Sequence, residues 1–430
     1  MRIAVIGAGA VGGVIAALAD RAGHAVTVTA RGAQLEAVQR SGLHLTGHWG
    51  EHTARPRASA VLDERPELAV LTVKAQDARA ALEANADFLD GVPLVVVQNG
   101  LGGAEAAAAQ LPTTPVVGGL ALFAASYLSP GEVSITTPAA TYLGLPAAVP
   151  PLGRGAAPSP AAPFTTPAPS DAAPSTTAPS NAAASTPAAP SDGAASTTPA
   201  LTSAPAPASA SPPASPSVSA SAPAPSSASA AADGLPTASA ASARSAAEAA
   251  LRLATATLGA FMPIEVTANF AGAQWTKLIV NQVNALPAIT GLSVQETIAD
   301  PRLRAVLTAS MREAVAVARA RDVHFETLLG LSDRLLRIFA AAPRPLAQLL
   351  PRLMSRRVGS TPNPGSTLQS IRRGQLTEID HLNGAVMREA RAAGVEAPIN
   401  AHLVRLVHRV EAEGAFITPE EIAISLTLPK

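Results

Sequence analysis

The sequence predicts an α/β domain over residues 1–146 and an all-helical domain over residues 244–430. In the first part, short β-branched runs alternate with Ala-rich segments, which is the pattern of a parallel sheet covered by helices. In the last part, apolar residues recur with helical spacing almost to the end of the chain. The stretch between them, residues 147–243, consists mainly of Ala, Pro, Ser and Thr.

A glycine-rich turn opens the α/β part. Strands are predicted over Arg2–Ile6 and Ala25–Thr29, with an Ala-rich helix between them. Gly7 permits a tight turn, Gly9 lets a pyrophosphate approach the backbone, and Gly12 lets the helix pack against the strand. The free N–H groups of the helix N-terminus then face the phosphates. This order predicts a Rossmann-type dinucleotide-binding domain, with the following cofactor-binding candidates: Gly7, Ala8, Gly9, Ala10, Val11 and Gly12.

The end of the second predicted strand distinguishes NAD from NADP. An NAD enzyme usually places a carboxylate there for the ribose 2′-OH. This chain reads Thr29-Ala30-Arg31-Gly32, and the guanidinium of Arg31 suits a 2′-phosphate. We therefore expect NADP, with Arg31 as a ligand. The alternative is that Arg31 is an exposed charge after a strand.

Lys74 and Asn99 follow two further predicted strands. Loops at the carboxyl ends of parallel strands are where ligands bind, so both are candidates to touch cofactor or substrate. Either could instead cap a helix or hold a turn. The remaining strands of this part are predicted over these ranges: Leu68–Val73, Pro93–Val97, Val116–Ala124 and Thr141–Leu145.

Composition limits the function classes. Lys plus Arg (31) equals Asp plus Glu (31), which gives no indication of nucleic acid or of an anionic membrane as a partner. The chain has no Cys, which removes disulfides, thiolate catalysis and Cys-ligated metals. Its 8 His residues lack paired ligand spacing, so no metal site is expected. No run has the length of a membrane-spanning helix, and we expect a cytoplasmic protein.

Residues 147–243 are expected to form a disordered insertion. A segment of this composition buries too little apolar surface to offset chain entropy. Deletion of Pro158 to Ala230 is therefore expected to leave fold and activity largely intact.

The last part reads as a helical bundle. A short strand or extended link is predicted over Pro263–Val266, and a turn over residues 361–370 leads into a short helix. Six longer helices are predicted: Ser245–Leu258, Ala268–Ile289, Pro301–Arg321, Pro345–Arg356, Gln375–Ala393 and Asn400–Glu413.

One of these helices carries a polar stripe. Lys277, Asn281 and Asn284 are spaced i, i+4 and i+7, which places an ammonium and two amides on one face of an apolar helix. Partial burial lowers the pKa of a lysine and so suits it to donate a proton to an alkoxide. The alternative is a surface lysine beside two packing amides. Further along the chain, in residues 377–384, Glu378 and Asn383 are expected at the rim of a cleft.

Together these residues resemble the ketopantoate reductase (2-dehydropantoate 2-reductase) family. The matching segments cover nearly the whole chain outside the insertion: Gly7-x-Gly9-x-x-Gly12, Arg31, Val73-Lys74-Ala75, Gln98-Asn99-Gly100-Leu101-Gly102, Trp275-x-Lys277-Leu278-x-x-Asn281, Ser366-x-Leu368-Gln369 and Thr377-Glu378-Ile379-Asp380-x-x-Asn383-Gly384. The resemblance implies an active site between a Rossmann domain and a helical C-terminal domain. It also implies NADPH-dependent reduction of 2-dehydropantoate to (R)-pantoate.

The resemblance also implies roles for individual residues. Lys277 would be the general acid, and Glu378 would orient it or contact the nicotinamide ribose. Asn281 and Ser366 would bind the substrate. Lys74 and Asn99 would contact the cofactor, and Asn99 would lie near the substrate too.

Two departures mark a divergent member. Asn284 follows Asn281 by three residues where many members have four, so its role as the second substrate amide is open. The segment Gly118–Phe123 lacks the Thr and His common there. The substrate could therefore be another branched 2-oxo acid or a 3-hydroxy acid. A non-catalytic NADP-binding protein is the alternative from another class, and a homodimer is compatible with a helical domain of this kind.

Overall fold

The structure, a computed structural model, describes residues 1–147, 238–358 and 362–426. The predicted insertion therefore falls outside the described residues, except for its ends. The first described part contains the following strands and helices: β1 (Arg2–Ile6), α1 (Ala10–Arg21), β2 (Ala25–Thr29), α2 (Gly32–Ser41), β3 (Leu43–Gly47), β4 (His52–Ala54), β5 (Arg57–Ser59), β6 (Leu68–Leu71), α3 (Ala78–Ala84), α4 (Ala86–Leu89), β7 (Leu94–Val97), α5 (Gly103–Gln110), β8 (Val116–Ala121), β9 (Ala124–Ser129), β10 (Glu132–Thr137) and β11 (Thr141–Gly144).

The later parts are helical apart from one strand. Their elements are as follows: α6 (Ala238–Gly259), β12 (Ile264–Val266), α7 (Phe270–Asn281), α8 (Ala285–Thr290), α9 (Val294–Ala299), α10 (Pro301–Ala320), α11 (Asp333–Ala341), α12 (Arg344–Ala347), α13 (Leu349–Val358), α14 (Gly365–Arg372), α15 (Asn383–Ala392), α16 (Pro398–Glu413) and α17 (Pro419–Ser425). None of the helices in the described ranges is long and apolar enough to cross a membrane.

A large sheet forms the centre of the α/β part. Its strand order is β12-β11-β8-β7-β6-β1-β2-β5, and the strands from β8 to β5 are parallel. Strands β6, β7 and β8 are fully buried because helices cover both faces of a parallel sheet. The predicted Rossmann-type α/β domain and the helical C-terminal region are thus confirmed.

A second sheet was not predicted. Its order is β4-β3-β10-β9, and it packs on α1 through Leu43, Leu45, Val133 and Ile135. The prediction of one strand over Val116–Ala124 is wrong at its end, because β8 stops at Ala121 and β9 enters this second sheet. The strands of the second sheet are short and mix polar and apolar residues, so they lack the alternating pattern from which a strand is predicted.

Helix α6 belongs with the α/β part, although the sequence placed it in the second domain. It begins at Ala238, ahead of the predicted Ser245. Its buried Ala250, Ala254 and Leu258 join the core of the large sheet, and β12 then pairs in parallel with β11. The chain therefore completes the first core before it enters the helical bundle at α7.

The predicted helix Ala268–Ile289 is wrong in one respect, because it is interrupted. Helix α7 ends at Asn281, a 3-10 turn covers Gln282–Asn284, and α8 follows. Pro287 explains the break, since it has no N–H to donate to the residue four positions earlier. Near the start of α8, Pro287 is tolerated because the first N–H groups of a helix have no partner inside it.

Two further helix predictions are wrong. The segment predicted as Gln375–Ala393 begins with a loop and a 3-10 turn at Ile379–His381, and only α15 is helical. The loop carbonyls of Leu376 and Thr377 accept hydrogen bonds from the α/β part and not from a helix. The helix predicted over Pro345–Arg356 is divided into α12 and α13.

Candidate functional site

A cleft of ≈ 1470 Å³ lies between the carboxyl edge of the large sheet and the helical bundle. It exceeds the roughly 300–1,000 Å³ of a pocket for one small ligand, so a dinucleotide and a small acid fit together. The candidate residues named from the sequence line this cleft, except Gly12 and Asn383: Gly7, Ala8, Gly9, Ala10, Val11, Arg31, Lys74, Asn99, Lys277, Asn281, Asn284, Ser366 and Glu378.

The glycine turn is tight at its two ends and open in the middle. Gly7 has φ +103°, and a Cβ there would lie 2.8 Å from the backbone nitrogen of Val73. A Cβ on Gly12 would lie 2.1 Å from the carbonyl oxygen of Gly7, so this glycine serves close packing beneath the cleft. A Cβ on Gly9 would meet no atom within 4 Å. The turn thus leaves free space at the N-terminus of α1, where a phosphate suits the helix dipole.

Arg31 lies at the N-terminal boundary of α2 and is exposed on the wall of the cleft. Its neighbour Gln34 fixes the start of α2 to the glycine turn by donating a hydrogen bond to the carbonyl oxygen of Ala8 (2.7 Å). The guanidinium therefore lies beyond the end of β2, in the position where a dinucleotide fold places its ribose ligand.

Lys277 projects from α7 toward the large sheet. Its Nζ donates a hydrogen bond to the carbonyl oxygen of Ala121 at 2.7 Å. Burial lowers the pKa of Lys277 to about 8, and the nearby Glu378 carboxylate partly opposes this shift. The lysine is held there because Leu278 and Ile279 on the same helix are buried in the bundle core. A lysine with a pKa near neutrality is suited to proton transfer.

Glu378 connects the loops of both domains. Its Oε1 accepts a hydrogen bond from the backbone N–H of Ala75 (3.4 Å), and its Oε2 accepts one from Asn99 Nδ2 (3.3 Å). Asn281 Nδ2 in turn donates to Asn99 Oδ1 at 3.5 Å. Two amides and a carboxylate therefore form a row beside Lys277.

Lys74 contacts the helical bundle from the loop after β6. Its Nζ donates to Ser370 Oγ at 3.0 Å and to the carbonyl oxygen of Leu376 at 2.7 Å. Burial lowers the pKa of Lys74, Glu378 opposes the shift, and Arg373 adds to it. The charge of Lys74 thus sits at the junction of the two domains.

Ser366 and Asn284 lie at the end of the cleft formed by the bundle. Ser366 is exposed in the first turn of α14, and Asn284 is 9% exposed at the end of the 3-10 turn. Gly365 has φ +72°, and a Cβ there would lie 2.7 Å from Asn284 Oδ1. The interruption of the predicted helix therefore still brings Asn284 to the cleft. The lining of the cleft also includes the following apolar side chains: Val280, Val283, Val294, Leu331 and Met354.

Asn383 is not at the rim of the cleft, as the sequence suggested. It is 0% exposed, and its Nδ2 donates to Gln282 Oε1 (2.7 Å) and Asn400 Oδ1 (3.0 Å). Ser310 joins the same group by donating to Gln282 Oε1 at 2.9 Å. This buried network was missed because its members come from four separate segments. Its signal in the sequence is limited to isolated polar residues inside apolar helices.

Comparisons with known proteins agree with this architecture. The family model described as "Ketopantoate reductase PanE/ApbA" matches residues 3–147, and "Ketopantoate reductase PanE/ApbA C terminal" matches residues 269–411. The 2-dehydropantoate 2-reductase of Pyrococcus horikoshii is 23% identical over 96% of this chain and 99% of its own length. That of Mesorhizobium japonicum is 40% identical over 24% of this chain and 32% of its own length.

Solved structures show the same fold. A PanE/ApbA family ketopantoate reductase from Ralstonia eutropha JMP134 has a TM-score of 0.60 at 23% identity, with 96% of this chain and 99% of that chain covered. D-mandelate dehydrogenase in complex with NADH has a TM-score of 0.60 at 16% identity, with the same coverage. Since the two family models together match most of the residues outside the insertion, the chain belongs to the ketopantoate reductase family and is an oxidoreductase that acts on CH–OH groups with a nicotinamide dinucleotide.

Proposed function

We propose that this protein reduces 2-dehydropantoate to (R)-pantoate with NADPH, a step toward pantothenate and coenzyme A. One observation carries the proposal. The Lys277 ammonium, with its pKa lowered to about 8, lines the cleft beside the row formed by Asn281, Asn99 and Glu378. This arrangement offers a proton donor and amide donors at one place, which reduction of a ketone beside a carboxylate requires.

The residues of the cleft fit a dinucleotide. The open space at Gly9 and the N-terminus of α1 would hold the diphosphate, and Arg31 would hold the 2′-phosphate. Glu378 would contact the nicotinamide ribose, and Lys74 and Asn99 would also contact the cofactor. When bound, NADPH supplies a hydride to the ketone carbon.

Lys277 then completes the reaction at the ketone oxygen. As the carbon–oxygen double bond becomes a single bond, the oxygen gains negative charge that the ammonium stabilises. Nζ donates a proton to this oxygen to form the hydroxyl group and is left as a neutral amine. Ser366 and the amides of Asn281 and Asn284 would hold the carboxylate and prevent the ketone from rotating away.

A second candidate substrate is a different branched 2-oxo acid. Apolar side chains that line the cleft, among them Val283, Val294 and Met354, would suit an apolar group on the acid. Leu122 and Phe123 also line the cleft, in the segment that lacks the Thr and His common in the family. The non-catalytic alternative is disfavoured by the joint presence of Lys277, Asn281 and Glu378. The cytoplasmic location and the homodimer stay predictions.

The test is oxidation of NADPH by the purified protein with 2-dehydropantoate, repeated with NADH and with a panel of branched 2-oxo acids. Turnover that is confined to other acids would leave the reaction class intact and reject this substrate. Arg31→Gln should raise the Kd of NADPH about tenfold, the typical effect of losing a charge-assisted hydrogen bond, and should leave the Kd of NADH unchanged. Arg40→Gln, an exposed arginine at the far end of α2, is the control.

A further inference from the structure

Helix α14 presents a polar stripe to the cleft that extends beyond the residues assigned above. Ser366, Gln369, Ser370 and Arg373 all line the cleft, and their spacing places them on one helical face. Ser366 is in the first turn, and Arg373 directly follows the last residue of the helix. A rise of about 1.5 Å per residue separates the two by about 10 Å. Arg373 therefore lies well away from the end of the cleft that Ser366 occupies.

Arg373 reaches across to the α/β domain. Its Nη1 donates to the carbonyl oxygen of Tyr127 at 3.2 Å, and its guanidinium carbon lies 5.4 Å from the centre of the Tyr127 ring. Tyr127 is part of β9, which packs on α1, the helix that starts from the glycine turn. The guanidinium thus connects the end of α14 to a strand that packs on the helix after the glycine turn.

Arg373 and Lys74 form a pair of positive charges along this wall. Lys74 Nζ contacts Ser370 Oγ, one turn before Arg373, and Arg373 contributes to lowering the pKa of Lys74. Within the described ranges, neither side chain forms an ion pair. Their hydrogen bonds go instead to carbonyl and hydroxyl oxygens. An anion with several oxygens would accept hydrogen bonds from the remaining donors of the Arg373 guanidinium. Lys74 needs such an anion less, because the nearby Glu378 carboxylate favours its charge more strongly than Arg373 disfavours it.

We propose that Arg373, with Lys74 beside it, binds the diphosphate of the dinucleotide from the side opposite the glycine turn. The carboxylate of a small 2-oxo acid is a poor match, because its ketone must face Lys277 while Ser366 holds its other end. The 2′-phosphate is also a poor match, because Arg31 already stands beyond β2. This inference rests on the proposed dinucleotide and does not depend on which acid is reduced.

The experiment is a fluorescence titration of the purified full-length protein with NADPH and, separately, with NADH. Arg373→Gln should raise the Kd of both dinucleotides by the same factor, about tenfold for the loss of a charge-assisted contact. Arg372→Gln is the matched control, since the neighbouring Arg372 is exposed and donates to the carbonyl oxygen of Gly291 (3.2 Å), outside the cleft. It should leave both Kd values unchanged. Arg373→Lys, which keeps the charge without the planar fork, should fall between wild type and Arg373→Gln.

Three outcomes would overturn the proposal. Weaker binding of NADPH alone would assign Arg373 to the 2′-phosphate. Unchanged Kd values with a raised KM for the 2-oxo acid would assign it to the substrate carboxylate. Unchanged Kd and KM values would mean that Arg373 binds no ligand and only holds α14 to Tyr127. Neither titration contains a 2-oxo acid, so absence of turnover with 2-dehydropantoate would reject the proposed substrate without affecting this result.

Discussion

Lys277 Nζ donates a hydrogen bond to the carbonyl oxygen of Ala121 over a distance of 2.7 Å. Ala121 is the last residue of β8, so the end of a strand in the large sheet positions an ammonium that belongs to the helical bundle. An ammonium carries three protons, and one of them is used in this bond. The other two are available to a ketone, and the position of the donor is fixed before the substrate binds.

Lys277→Met should lower turnover by about 10²–10⁴-fold, the usual contribution of a general acid, and spare NADPH binding. It should also raise the melting temperature, because the lowered pKa of Lys277 shows that folding disfavours its charge. The folded-state pKa of about 8 lies below the usual lysine pKa of 10.5, so this penalty is fully present below pH 8 and fades toward pH 10.5. Turnover, Kd and thermal unfolding are the measurements. Wild-type turnover in the variant would remove Lys277 from the mechanism.

The pH dependence of the reaction should follow the same group. Reduction needs the protonated amine, so kcat/KM for the 2-oxo acid should fall as the pH rises through about 8. Oxidation of the hydroxy acid needs the neutral amine and should rise over the same range. Initial rates in both directions between pH 6 and 10 at saturating dinucleotide test this. Parallel profiles for the two directions would contradict it.

Glu378→Gln should move the descending limb of the reduction profile to lower pH. The carboxylate of Glu378 raises the pKa of Lys277 against the effect of burial, and glutamine keeps the shape without the charge. The amide oxygen can still accept from Ala75, so the loop should stay in place. Asp380→Asn is a matched control, because Asp380 is exposed and pairs with His408 outside the cleft. An unmoved limb in Glu378→Gln would show that the two groups are not coupled.

The elements with the strongest periodicity were predictable, including β1, β2 and α1 with the glycine turn between them. Lys277 and Asn281 were found because they lie four residues apart on a helix that is otherwise apolar. The break after Asn281 had a signal in Pro287, whose missing N–H limits how far a helix can continue. The second sheet had no comparable signal, because its strands are short and their burial depends on contact with α1.

The roles of residues whose positions depend on tertiary contacts could not be predicted from the sequence. Arg373 resembles Arg372 in the sequence, and only their contacts with Tyr127 and Gly291 separate them. Asn383 was expected at the rim of a cleft because a helix that buries Ile379, Leu382 and Val386 would leave it there. The 3-10 turn at Ile379–His381 rotates it into the core, and no propensity indicates that rotation.

The buried network around Asn383 should stabilise the fold and position α7, the helix that carries Lys277. Asn383→Ala would leave Gln282 Oε1 and Asn400 Oδ1 to share the single hydroxyl proton of Ser310 and would create a small cavity. The expected loss in the free energy of unfolding is about 2–4 kcal/mol. Gln282 directly follows Asn281, so KM for the 2-oxo acid should rise more than the Kd of NADPH. Denaturant unfolding and steady-state kinetics measure both. A loss below about 0.5 kcal/mol, the level of an ordinary surface change, would show that the network is dispensable.

Alanine at Gly9 and at Gly12 should separate cofactor binding from folding. Gly9 has φ −79°, which alanine adopts, and no atom lies within 4 Å of its added Cβ. Gly9→Ala should therefore keep the wild-type melting temperature and raise the Kd of NADPH at least about tenfold, because the methyl group would enter the space that we propose for the diphosphate. Gly12→Ala should instead lower the melting temperature, since its Cβ would lie 2.1 Å from the carbonyl oxygen of Gly7 and 2.3 Å from Thr72 Oγ1.

Each of these two variants is the control for the other, as both add one methyl group to the same turn. Differential scanning fluorimetry and fluorescence titration on the same samples give the comparison. Wild-type affinity in Gly9→Ala would place the dinucleotide elsewhere in the cleft. Wild-type stability in Gly12→Ala would mean that α1 shifts away from β1 at little cost, which contradicts the close packing of this helix on the large sheet.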